Sequence, residues 1–200
     1  MRDTWYSDAR DLLKWGALIH LATRERLSTI IQVAMFRPGK RPTLENRSGT
    51  SEIPEVVWAH FRDLNGIQAL GRTAGVEITV IDDPFGAKSR AKYFERVAAR
   101  LQETSGSRAV LLDPDTGFEP GKVTAKHVTG DDVRMVWKAL GVGDWLLLYQ
   151  HRWRNKDWIN QANSKFVRVC REAEVELFRA TKSPSDVILL GARKIELSDA

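Results

Sequence analysis

Residues 174–180 and 186–192 both read as strands, and only Thr181-Lys182-Ser183-Pro184-Ser185 lies between them. A parallel crossover takes a dozen residues or more, so these two strands are antiparallel neighbours. Upstream of them, stretches with helical periodicity alternate with short apolar runs. An alternating chain that finishes in an antiparallel hairpin is not an all-parallel doubly wound domain. The pattern predicts one α/β domain over residues 1–200, with a mostly parallel, Rossmann-like sheet and a C-terminal antiparallel hairpin.

Two of the apolar runs are unbroken. Ala109-Val110-Leu111-Leu112 has no polar interruption, as expected of a strand buried on both faces by helices. It stops at Asp113-Pro114-Asp115-Thr116-Gly117, where Pro and Gly turn the chain out of the strand. Asp113, Asp115 and Glu119 thereby reach one edge of a buried sheet, and open α/β sheets bind ligands outside the carboxyl ends of their strands. The second run, in residues 144–151 (DWLLLYQH), ends in Tyr149-Gln150-His151-Arg152-Trp153-Arg154. If it is parallel to the first, His151 and Arg154 lie on the same edge as Asp113. Residues 118–130 between the runs read as a loop carrying Glu119, Lys122, Lys126 and His127, followed by a helix over 131–140.

The first half of the chain supplies further candidates. Residues 4–24 read as a helix, with Leu12, Trp15, Leu18, Ile19 and Ala22 at helical spacing. Ser7 is the candidate N-cap, and Asp8 and Asp11 suit the positive end of the helix dipole. Asp11 and Lys14 share a face, either as a surface ion pair or, with Asp8, as a polar cluster aimed at a ligand. Residues 28–36 read as the first strand, followed by a basic turn in which Arg37 and Gly39 could meet a phosphate or cofactor. That turn lacks the GxGxxG spacing, and Pro38 and Pro42 remove amide donors. Residues 40–51 read as a polar surface loop, and 52–71 as a helix whose apolar side includes a packed His60. Residues 76–81 form the next strand, and Asp82 at its end stands where related folds hold a ribose hydroxyl. A basic helix over 87–104 covers the sheet. Residues 155–171 form the last helix.

Composition narrows the partners. A net charge of +5 makes an anionic partner, nucleic acid first, a reasonable expectation. The single cysteine, Cys170, excludes an internal disulfide and a cysteine-based zinc site, and its helical context reads as a buried structural thiol. No signal-peptide pattern or membrane-length apolar run is present, so a cytoplasmic setting without a membrane partner is expected. Of the seven tryptophans, Trp5, Trp15, Trp153 and Trp158 flank charges and fit either a pocket wall or the core.

The turn at Asp113-Pro114-Asp115 resembles the Asp/Asn-Pro-Pro-aromatic turn of adenine-N6 methyltransferases. The stretch from Tyr6 to Trp15, with Asp8, Asp11 and Lys14, resembles the opening helix of the large-subunit ribosomal RNA adenine methyltransferases and of the three-Cys-motif partner proteins. A group of bacterial proteins without an assigned activity is similar over more of the chain. The shared features are Tyr6, Asp8, Asp11, Lys14 and Trp15, the segment 113–119, the segment Lys126-His127-Val128, and Tyr149, Gln150, His151 and Arg154. The resemblance implies a class I S-adenosylmethionine-dependent methyltransferase fold. It implies a cofactor site drawing on Asp8, Asp11, Lys14, Arg37, Gly39 and Asp82, with Asp113 orienting a target amino group. The chain departs from that pattern in two places. Phe36-Arg37-Pro38-Gly39 stands where a glycine-rich turn is usual, and Asp115 and Thr116 replace the second proline and the aromatic residue.

Three functions follow. One is a methyltransferase-fold protein acting on or binding nucleic acid, with a site for S-adenosylmethionine that is either intact or degenerate. A second is a metal-dependent phosphodiesterase or nuclease. There Asp113, Asp115 and Glu119 would hold Mg²⁺ or Mn²⁺, His151 would act as base, and Lys126 or Arg154 would stabilise the transition state. The third is a non-catalytic binding protein, whose polar cluster is an ion-pair network such as Asp113 with Arg154 or Asp11 with Lys126.

Overall fold

The buried runs become the centre of a six-stranded sheet. The computed structural model describes residues 8–37, 43–47, 49–60, 63–171, 173–182 and 184–196. The helices are α1 (Ala9–Glu25), α2 (Glu55–His60), α3 (Gln68–Ala74), α4 (Arg90–Glu103), α5 (Gly130–Ala139) and α6 (Trp158–Val169). The strands are β1 (Thr29–Val33), β2 (Thr43–Asn46), β3 (Gly49–Glu52), β4 (Glu77–Ile81), β5 (Arg108–Leu112), β6 (Gly117–Phe118), β7 (His127–Val128), β8 (Trp145–His151), β9 (Ala173–Phe178) and β10 (Val187–Lys194).

The large sheet runs β4-β1-β5-β8-β10-β9. The first four strands are mutually parallel, while β10 is antiparallel to both β8 and β9. This is the mostly parallel, Rossmann-like sheet with a C-terminal antiparallel hairpin that the sequence predicts. Every residue of β1 and β5 is buried, because both faces are covered. Residues of α4, α5 and α6 pack one face around Ile31, Val33, Val110, Leu112, Leu146 and Leu148. Trp15, Leu18, Leu21 and Ala22 of α1 pack the other against Ile30, Ala109, Leu111, Leu147 and Tyr149. Trp15, Trp158 and Cys170 are core residues. Trp5 lies outside the described residues.

Several boundaries differ from the sequence reading. Asp8, not Ser7, caps α1, accepting from the backbone N–H groups of Arg10 and Asp11. The expected loop over 40–51 contains the β2–β3 hairpin. The expected helix over 52–71 is broken into α2, a 3₁₀ turn at Leu64–Ile67 and α3. Val56 and His60 are exposed there rather than packed, because the short α2 has no sheet beneath it to bury them. The expected loop over 118–130 carries the parallel β6–β7 pair. Gly117 is required at that point. Its φ is +89°, and a Cβ would lie 2.4 Å from Gln150 Oε1. Gln150 in turn accepts from Phe118 N and donates to the Thr116 and His151 carbonyls, which pins the turn against β8. Among the described residues, no helix is long and apolar enough to cross a membrane.

Candidate functional site

The parallel order places the ends of β1, β5 and β8 side by side, with the N-terminal turn of α1 above them. Asp113 follows β5 directly, and its backbone N–H donates to the Val33 carbonyl at 3.0 Å. Alternation along the strands turns Gln32, Asp113 and Tyr149 to the face that α1 covers.

Lys14 reaches down from α1 between two carboxylates, 2.6 Å from Asp11 Oδ1 and 2.8 Å from Asp113 Oδ2. Gln32 Nε2 donates to the same Asp113 oxygen at 2.6 Å. All four residues are buried. Burial works against the Lys14 charge, but Asp113 and Asp11 outweigh it and hold the ammonium above the usual lysine range. The second carboxylate oxygen, Asp113 Oδ1, has no hydrogen-bond partner among the described residues. Asp113 belongs to the wall of a cavity of about 380 Å³. Asp8, Arg10, Tyr149 and His151 complete one side of that cavity, and Pro114, Asp115, Thr116 and Lys126 the other.

A second chain of contacts runs along the α1 side. Arg10 bridges Asp8 at 3.0 Å and Asp186 at 2.7 Å. His151 Nδ1 lies 4.0 Å from the same Asp186 oxygen, and its Nε2 lies 2.9 Å from the Tyr149 hydroxyl. Burial pushes the His151 pKa below its usual value, opposed by Asp186. Burial and the Asp113 charge push the Tyr149 phenol upward. At neutral pH His151 is therefore a neutral imidazole and Tyr149 a neutral phenol.

The sequence candidates divide into three groups. Asp8, Asp11, Lys14, Asp113, Asp115, Lys126 and His151 share the cavity. Glu119 does not; it forms an ion pair with Lys165 of α6. Arg154 lies on the wall of an adjoining cavity of about 540 Å³, with Arg152, Trp153 and His127. Asp82 is exposed at the end of β4, accepts from Asn65 at 3.4 Å, and is absent from both cavity walls. Gly39 lies outside the described residues. The Asp11–Lys14 pair is buried rather than a surface pair. Asp113 and Asp11 meet Lys14, not Arg154 and Lys126, because α1 lies directly over the strand ends.

The three acids proposed as metal ligands do not converge. Asp113 meets Lys14, Asp115 meets Arg37 and Glu119 meets Lys165. No group of three or more metal-ligating side chains exists among the described residues. The sequence reading passed over three contributors. Gln32 left a signal, a lone amide inside the apolar run of β1. Arg10 and Asp186 left none, since they meet only through the sheet order.

S-adenosylmethionine, the cofactor that the resemblance implies, needs the backbone after β1 to be open to it. Here Met35 is buried with φ of +45°. Phe36 forms a bridge to Pro84, and Phe85 N donates to the Phe36 carbonyl at 2.7 Å. The Arg37 side chain turns across to Asp115. The exits of β1 and β4 are thus drawn together and filled by large side chains. The described residues there do not form a cradle for that cofactor.

No protein-family model matches the chain, and no curated protein is similar to it in sequence. Solved structures are similar at low identity. A candidate methyltransferase from Thermobifida fusca is 11% identical over 94% of this chain and 80% of its own, with a TM-score of 0.48. A DUF574 family protein from Streptomyces avermitilis is 11% identical over 93% and 82%, with a TM-score of 0.45. An rRNA methylase from Streptococcus thermophilus is 12% identical over 94% and 95%, with a TM-score of 0.40.

Proposed function

We propose that the protein is a methyltransferase-fold protein that binds nucleic acid by taking one unstacked base into the cavity at Asp113, with a degenerate cofactor site. The observation that carries this reading is the division of labour within one carboxylate. Lys14 and Gln32 hold Asp113 Oδ2, which fixes the group, while Oδ1 has no hydrogen-bond partner among the described residues and Asp113 belongs to the cavity wall. An oriented acceptor in a low-dielectric site selects an amino donor, such as adenine N6 or cytosine N4. Within the buried cluster one ammonium stands between two carboxylates, an excess of negative charge that suits an amino group. The cavity volume suits a base, and Tyr149 belongs to its wall. The overall charge of +5 favours a polyanion.

Fluorescence anisotropy with a labelled single strand of about 12 nucleotides tests the reading. Binding at about 10 µM or tighter in low salt is expected. No binding to mixed-sequence RNA or DNA strands sinks it. Calorimetry with S-adenosylmethionine and its homocysteine product is the companion measurement. No heat is expected, and a Kd below about 100 µM would replace the degenerate site with a functional cofactor site.

A further inference from the structure

The two adjoining cavities differ in how far their cations are paired with acids. Around the first, three of the cations are matched to acids, and the exposed Lys126 on its wall forms no ion pair among the described residues. Arg10 bridges Asp8 and Asp186, Arg37 meets Asp115, and Lys14 meets two aspartates. Elsewhere Arg90, Arg100 and Arg108 each meet an aspartate as well. Arg152 and Arg154 are exceptions. Both are exposed, both belong to the wall of the 540 Å³ cavity, and neither forms an ion pair among the described residues. The Arg152 backbone is held, since its N–H donates to the Asp186 carbonyl at 2.8 Å and continues the β8–β10 ladder. Trp153 lies between them in sequence on the same wall, with its indole N–H buried and unpartnered. Thr116 and His151 belong to both walls, so the two cavities share a boundary.

We infer that the second cavity is the subsite for the backbone phosphate of a single-stranded nucleic acid whose base occupies the first. This rests on the reading above and assigns it a strand path. An amino acceptor on one side of Thr116 and His151, and two unmatched guanidiniums on the other, fit the two ends of one nucleotide. Guanidinium groups suit phosphate because their planar donors match its oxygens. The flanking indole offers a neighbouring base a stacking surface.

The test is a salt titration of strand binding with the whole chain and with the double variant Arg152→Ala/Arg154→Ala. Losing two phosphate contacts on a single strand lowers the slope of log K against log salt by about 1.4. Affinity at low salt is expected to fall about tenfold or more. Trp153→Phe is expected to lower affinity severalfold without changing the salt slope, because stacking releases no counterions. Unchanged slope and affinity in the double variant, while the native chain still binds, overturn the phosphate subsite and leave base binding standing. Equal affinity for duplex and single strand overturns the single-strand assignment. Failure of the native chain to bind any strand overturns both. Circular dichroism of each variant at matched temperature separates a lost contact from a lost fold.

Discussion

The two cavities at the carboxyl edge show two uses of charge. In the first, Lys14 and Asp113 are 3% and 1% exposed and bonded to each other. In the second, Arg152 and Arg154 are exposed and form no ion pair among the described residues. A buried, mutually bonded set cannot rearrange cheaply, so it fixes the position of an acceptor. Exposed cations fix nothing, but they act over a Debye length and bind a flexible anion. The difference separates geometry from attraction on one sheet edge.

The largest test of that contrast is Lys14→Met. It leaves Asp11 and Asp113 buried against each other without their cation, and a loss of about 3–5 kcal/mol in chemical denaturation is expected. A loss under about 1 kcal/mol would mean the network is solvated and not a fixed frame. Gly117→Ala attacks the turn beside the boundary between the cavities. Its Cβ would strike Gln150 in a left-handed conformation, so about 1–3 kcal/mol is expected to be lost. Asp113→Asn is expected to cost less stability than Lys14→Met, because an amide keeps an acceptor, and to weaken strand binding about tenfold in anisotropy.

Acidification gives a smaller effect. Burial lowers the His151 and His127 pKa values, so the unfolded chain binds their protons first as pH falls. Stability therefore declines as pH drops through the ordinary imidazole value of 6.5 toward the depressed folded values. His151→Gln is expected to flatten that slope in denaturation midpoints measured across the window, and an unchanged slope would place the dependence elsewhere. Asp8 and Asp186, whose pKa values are lowered, lose their contribution only as pH falls through and below the carboxylate range. The smallest effect belongs to the exposed Asp131–Arg134 pair on α5. Asp131→Ala is expected to shift stability by no more than about 0.5 kcal/mol, the expected contrast to Lys14→Met.

Much of the sheet was legible because its signals are local. The runs at 109–112 and 145–148 are apolar without interruption, and the short link before Val187 left only an antiparallel solution. The region between β1 and β4 was not legible. Polar residues at 43–52 gave no alternation to mark the β2–β3 hairpin. The apolar residues at 53–64 looked like a helix face, but Val56 is 76% exposed. Periodicity reports what a segment could bury, not whether anything lies beneath it. The acids after β5 were legible as edge residues for the same reason as the strand. Their separation onto Lys14, Arg37 and Lys165 was not.

By itself the sequence determined the element types of the large sheet and its covering helices, the antiparallel finish and the placing of Asp113 and His151 at strand ends. Those follow from side-chain period, proline and glycine punctuation, and the length of one link. Only the tertiary structure decided which charges meet. Lys14 and Asp113 are 99 positions apart, and Arg10 and Asp186 are 176 apart. Their pairing depends on β1 lying between β4 and β5 and on α1 crossing the strand ends. That order is set by burying both faces of the whole sheet at once, so no local stretch of the chain encodes it.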